Sequence, residues 1–227
     1  MQSFEYRSYS TNLFRPKPSI YEEVSNNMLI IATPWGPRSS AEKALQTIQD
    51  YYFSARSDKE STSPFEFLDC LSGAANDLRV ATMLANDKVY KDENESEYTA
   101  GIELFSLVKD KEEVSYIQIG HPSAILCREN FSPIVLGNPF DLVMNSNNPS
   151  QQSSPLPGDL LGVYEKSNFA VNSFTPKSGD QLLLLSRSLI DTELFQFDLT
   201  HSSLDEIVQA ISANDEVSPF WVGRLTF

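Results

Sequence analysis

Four consecutive leucines, Leu182, Leu183, Leu184 and Leu185, place the tightest limit on how this chain folds. An apolar run of that length without alternation predicts a strand buried on both faces. The run sits inside GDQLLLLSRSLID, residues 179–191, and ends in small polar residues, Ser186 and Ser188, on either side of Arg187. The chain then turns. The end of a buried strand is where a fold presents a side chain to a ligand at fixed geometry. Arg187 is therefore the first candidate site residue.

At 227 residues the chain suits one large domain, residues 1–227, with a sizeable core. Its 41% hydrophobic and 21% charged residues are ordinary for a globular protein. The net charge of −14 argues against nucleic acid or an anionic membrane as partner, since both require cationic faces. A basic protein partner is compatible with it. The two cysteines, Cys70 in a helical pattern and Cys127 at a strand end, read as unpaired, mostly buried thiols in a reducing compartment. With no Cys/His cluster, a structural zinc site is not expected. The first residues, MQSFEYRSYS, contain no apolar core of the signal-peptide kind, and no stretch approaches the roughly 18 apolar residues of a membrane span. The expectation is a soluble, cytoplasmic protein.

Along the chain, residues 4–9 alternate as an edge strand, and residues 12–19, with two prolines, read as a loop. A short buried strand, residues 28–32, is predicted to stop at the rigid turn 33–37. A helix follows, capped by Ser39 or Ser40, with Ala41, Ala44, Leu45, Ile48, Tyr51 and Tyr52 at helical spacing. A second helical run is predicted from Pro64, its apolar stripe formed by Phe65, Leu68, Leu71, Ala75, Leu78, Ala81 and Ala85. Strands are then expected at 100–108, 114–120, 124–128, 133–136 and 168–174, with a polar hairpin connection, KDKEE, between the first two. Residues 144–155, rich in Asn, Ser, Gln and Pro, read as a flexible surface loop. The leucine strand, a helix near 203–212 and a closing strand 219–227 complete the order. Phe220, Trp221 and Phe227 read as core residues of that closing strand. The pattern is α+β, with a sheet-rich core and helices segregated outside it.

Several of these segments resemble metal-dependent 2C-type serine/threonine phosphatases. Residues 179–191 resemble the stretch in which that family places a Gly-Asp turn, a buried strand and a Ser-Asp-Gly triplet whose Asp binds the catalytic metals. Arg187 stands at the Asp position. Residues 114–126, VSYIQIGHPSAIL, resemble a strand pair with a Gly-Asp-Ser-Arg turn, and His121 takes the Asp position. LPGDLLG, residues 156–162, resembles the segment before the next strand. Residues 215–222, DEVSPFWV, are similar to the closing strand, with Asp215 on a metal-binding Asp. A weaker match, LIIATPWGPRSS at 29–40, puts Thr33 in place of the metal-bridging Asp. The resemblance implies a β-sandwich of two antiparallel sheets flanked by helix pairs, in the order α-β-β-α.

A two-metal phosphatase needs several carboxylates converging on ions about 3.5–4 Å apart. Hard ions such as Mg²⁺ and Mn²⁺ require oxygen ligands. On the register above, Thr33, His121 and Arg187 stand where three acidic residues belong, and Asp215 alone remains. The resemblance thus implies a catalytically inactive, phosphatase-like protein without a metal cofactor, acting as a protein-binding or regulatory module. Arg187 and Asp215 are expected to pair. The alternative is an active phosphoserine/phosphothreonine phosphatase with a rearranged Mg²⁺ or Mn²⁺ site, which needs at least three carboxylates near Asp215. A third reading is an unrelated α+β sandwich. Arg187 with Ser186 and Ser188 also forms a candidate anion cradle. His121 reads as a turn residue, His201 as exposed with no carboxylate motif around it, and Asp159, Asp180 and Asp191 as solvated turn residues. No nucleophilic triad spacing, phosphate loop or dinucleotide fingerprint occurs. The partner, its identity open, is expected to be a protein, and the oligomeric state is left open.

Overall fold

The structure is a computed structural model that describes residues 1, 3–25, 27–57, 63–142, 156–187, 190, 192–214 and 216–227. The expected loop at 144–155 lies outside them, as do Ser188, Asp191 and Asp215. The chain forms two compact units, each built around one five-stranded antiparallel sheet.

One unit comprises residues 16–119 and 160–175. Its strands are β2 (Ser19–Glu23), β3 (Met28–Trp35), β4 (Gly101–Asp110), β5 (Glu113–Ile119) and β8 (Val171–Phe174), ordered β2-β3-β4-β5-β8. Two long helices, α1 (Arg38–Ser57) and α2 (Gly73–Val89), share a core with this sheet. Met28, Ile30 and Ala32 of β3 pack there with Ala41, Ala44 and Ile48 of α1 and Leu78, Ala81 and Ala85 of α2. The alanines let helix and sheet backbones approach closely, and each larger side chain taken out of water, such as Ile30, Ile48 or Leu78, adds about 1.5–3 kcal/mol.

β2 was not anticipated, because SIYEE has the pattern of an edge and follows two prolines. It pairs with β3 only over residues 28–32. That limit explains a second difference. β3 runs on through Pro34 to Trp35, paired with β4. Beyond residue 32 the other side of β3 has no β2 partner, so the missing N–H of Pro34 breaks no ladder bond.

The second helix begins nine residues later than the apolar spacing predicts. Ser72 is its cap, its Oγ accepting from the Ala75 amide. Phe65, Leu68 and Leu71 consequently lie on a loop before the helix, and Cys70 is exposed rather than buried. At its other end α2 widens into a π-helical turn, Tyr90–Asn94. There the buried Asn94 amide donates to the carbonyls of Ala100 (2.7 Å) and Gly162 (2.6 Å). Gly162 has φ +85°, and a Cβ there would sit 2.3 Å from Val89 Cγ1, so only glycine fits.

The other unit comprises residues 1–15, 120–159 and 176–227. Its sheet, ordered β1-β10-β9-β6-β7, is formed by β1 (Glu5–Tyr9), β6 (Ser123–Cys127), β7 (Ile134–Gly137), β9 (Gln181–Leu185) and β10 (Phe220–Thr226). Here β9 is the predicted leucine strand, with Leu182, Leu183, Leu184 and Leu185 all buried. Helix α3 (Leu204–Asn214) covers it, with Leu204, Ile207 and Ile211 packed among Ile125, Leu183, Leu185, Phe220 and Val222. Among the described residues α3 is the one α-helix of this unit, and a 3₁₀ turn, Thr192–Gln196, precedes it. The closing aromatics Phe220 and Trp221 are each 2% exposed, as a core strand requires.

Candidate functional site

The described positions at which the resemblance places metal ligands, Thr33, His121 and Arg187, lie at or beside strand ends. In the unit of residues 16–119 and 160–175, Thr33 lies near the end of β3, 1% exposed. Directly across from it on β4 stands Glu103, fully buried. Opposed residues of an antiparallel pair carry Cβ atoms about 4.5–5.5 Å apart. A neutral hydroxyl therefore occupies the expected carboxylate position, and a carboxylate stands one strand away. Glu103 is itself in polar or electrostatic contact, as a carboxylate wholly removed from water must be. Sequence reasoning overlooked it. The signal was a single charge inside the apolar strand GIELFSLV.

In the other unit His121 follows Gly120, whose φ of +67° makes the turn into β6. His121 is 1% exposed. Arg187 follows β9 and is also largely buried, at 9% exposure. Its Nη1 donates to the Ile211 carbonyl at 3.2 Å, in the last turn of α3. A permanent cation at that position complements the negative end of the helix dipole and satisfies one of its orphan carbonyls. Ser186 is fully buried, and its Oγ accepts from the Trp221 amide at 2.7 Å. The Ser186 amide in turn donates to the Trp221 carbonyl at 3.0 Å. These reciprocal bonds splice the end of β9 onto the start of β10. Ser188 and Asp215, the expected companions of Arg187, lie outside the described residues, as does Asp191.

Two expectations are corrected. Asp180 is a buried latch and not a solvated turn residue. Arg128 donates to both of its oxygens, at 2.8 and 2.6 Å, and the Lys177 amide donates at 2.8 Å. Chiefly through the Arg128 hydrogen bonds, its carboxyl is held below the usual range despite burial. His201 is exposed as anticipated, but a carboxylate does accompany it. Asp198 accepts from the His201 amide at 3.1 Å and lies 3.0 Å from the ring Nδ1. Asp159 is exposed.

Among the described residues, no three His, Cys, Asp or Glu side chains lie together in a way that would hold a metal ion. At the described family positions the donors do not fit a pair of hard cations: Thr33 is neutral, His121 offers nitrogen, and Arg187 carries a positive charge.

Two antiparallel sheets with this element order define the fold of the 2C-type, metal-dependent serine/threonine phosphatases. Solved structures with this fold are similar to the chain. PppA, a key regulatory component of T6SS in Pseudomonas aeruginosa, matches with a TM-score of 0.68 at 14% identity, over 99% of this chain and 97% of its own. The PPM Ser-Thr phosphatase MsPP from Mycobacterium smegmatis, solved with cacodylate, matches with a TM-score of 0.67 at 14% identity, over 99% and 98%. The Mycobacterium tuberculosis serine/threonine phosphatase PstP/Ppp matches at 0.64 and 14% identity, over 98% and 97%. No protein-family model and no curated protein sequence matches the chain.

Proposed function

We propose that this protein is a phosphatase-fold module that binds a protein partner or regulates it, without turning over phosphate. The observation that carries this reading is Arg187. Where the fold's resemblance calls for a metal-binding carboxylate, a buried guanidinium is instead fastened to the end of α3. A cation there repels a divalent ion, and removing it from the helix end would leave a carbonyl without its donor. Thr33 adds a second lost ligand. PppA, described as a regulatory component, is a precedent for regulatory work on this fold. The net charge of −14 favours a protein over nucleic acid or an anionic membrane as partner. Among the described residues no helix is long and apolar enough to cross a membrane. We place its action in the cytoplasm.

Calorimetric titration with Mn²⁺ and Mg²⁺, with p-nitrophenyl phosphate turnover followed on the same sample, tests the reading. No saturable heat and no turnover above background are expected. Micromolar metal binding, with turnover abolished in Asp215→Ala, would instead establish an active enzyme with a rearranged site.

A further inference from the structure

Helix α2 begins late, and that leaves two large apolar side chains outside any core. Phe67 and Leu68 are 47% and 39% exposed, side by side on the loop before Ser72. A mobile loop would expose such residues transiently, but this one is fixed at several backbone points. Asn76, 4% exposed on the first turns of α2, accepts from the Leu68 amide at 2.8 Å. The same side chain donates to the carbonyls of Leu68 (3.0 Å), Leu71 (3.2 Å) and Ser72 (3.3 Å). The Leu71 amide closes a turn on the Leu68 carbonyl at 3.0 Å. Upstream, Arg79 Nη1 donates to the Glu66 carbonyl at 3.0 Å, and Ser63 Oγ accepts from the Phe65 amide at 3.2 Å. The backbone is thus tied down while the apolar side chains face water. That combination costs stability in the isolated chain and lowers the entropy lost on association.

We propose that loop 65–71 is a preorganised docking element that inserts Phe67 and Leu68 into an apolar socket on a protein partner whose rim carries lysine or arginine. Charge selects that partner. From residue 63 to residue 78 the exposed charged residues are Glu66 and Asp69, both acidic. Glu66 and Asp69 are exposed and bracket the two apolar side chains. Arg79, the first cation after the loop in sequence, donates to the Glu66 backbone carbonyl. A second copy of this chain would bring another −14 charges against them, and an anionic surface would be repelled likewise. A large apolar pair flanked by acids is the complement of an apolar pocket rimmed by bases. This inference stands on the loop alone and holds whether or not the domain hydrolyses phosphate, so its test is separate from the metal and turnover experiment.

The chain supplies its own probe. Cys70, two residues from Leu68, is exposed, whereas Cys127 is buried and its thiol is pushed up to about 12 by burial. The full chain, labelled at Cys70 with a maleimide-benzophenone, is irradiated in clarified extract of the cells that make it, and products are mapped by mass spectrometry. One discrete adduct is expected, with its crosslinked peptide in an apolar patch bearing Lys or Arg. Its yield should fall about tenfold or more in Phe67→Ala/Leu68→Ala, as for truncated hot spots. It should also fall in Glu66→Gln/Asp69→Asn and at about 1 M salt, where the screening length is about 3 Å. Both alanine changes are at exposed positions, and an unchanged thermal transition verifies the fold. Asn76→Ala keeps both side chains but frees the loop, and should reduce the yield less than the double truncation. No adduct, an adduct retained in Phe67→Ala/Leu68→Ala, an adduct insensitive to salt, or an adduct with a second copy of the chain or with nucleic acid would each overturn the proposal.

Discussion

Asp180 and Asp77, buried aspartates of different units, behave in opposite ways. Asp180 is gripped through both oxygens by Arg128, and the guanidinium keeps its carboxyl below the ordinary range. Asp77 on α2 is 7% exposed, and Arg56 of α1 comes only to 4.0 Å while also bonding Asp110 at 3.0 Å. Burial dominates there and pushes the Asp77 carboxyl up, Arg56 opposing it only in part. The amount of water removed is similar. What separates the two is the geometry of the cation, two short parallel hydrogen bonds against one distant charge. The lesson bears on function, since a buried carboxylate becomes a cation ligand only where its oxygens are not already claimed.

The sharpest way to break the contrast is Asp180→Ala. Arg128 would lose its acceptor and the Lys177 turn its anchor, while the freed guanidinium reaches water, so a loss of roughly 2–3 kcal/mol is expected in urea unfolding. A pH series sharpens it. A lowered carboxyl contributes stability above the unfolded value of about 3.9 and loses it as pH falls through the folded value. The gap between wild type and Asp180→Asn should therefore be constant near neutrality and narrow below about pH 4. Arg56→Ala is expected to act more weakly, costing below about 1 kcal/mol, because that side chain is 40% exposed. The smallest effect reverses sign. Asp77→Asn should be neutral or stabilising by a few tenths of a kcal/mol at pH 7, since a raised carboxyl penalises the native state only above the unfolded value. Below about pH 4 that gain should vanish. A destabilised Asp77→Asn at neutral pH would show that the Arg56 pairing outweighs burial.

The sheets were largely legible in the chain because their strands are apolar enough to declare themselves, β9 above all. What escaped was set by single polar contacts between residues distant in sequence or by caps. The stripe from Phe65 to Ala85 has helical spacing throughout, and spacing alone does not reveal that Ser72 takes the Ala75 amide and starts the helix there. Nothing in the local sequence marks Asn76, whose two bonds to residue 68 depend on the folded approach of the loop to the first turns of α2. The polar Gly-Asp turn reads as solvated at Asp180, and nothing local announces Arg128, fifty-two residues earlier. The site positions were readable as substitutions against a resembling motif. Their placement was not. That Arg187 is turned onto α3 follows only from the packing of the helix beneath β9.

The order β1-β10-β9 has a consequence for how the chain comes into being. β10, which follows every other described strand in the chain, is inserted between β1, which precedes them, and β9, with Glu5 opposite Arg224 and Val222 opposite Leu185. This sheet therefore cannot close until β10 has been made, whereas β2, β3, β4 and β5 are all available by residue 119. Loop closure over some two hundred residues is slow, and β1 waits unpaired meanwhile. Its charged, exposed sequence, EYRSY, suits a strand that must stay in water without aggregating until its neighbour arrives. Pulsed hydrogen exchange during refolding should find the amides of Glu5–Tyr9 among the last to become protected, and early protection there would point to a different order of assembly.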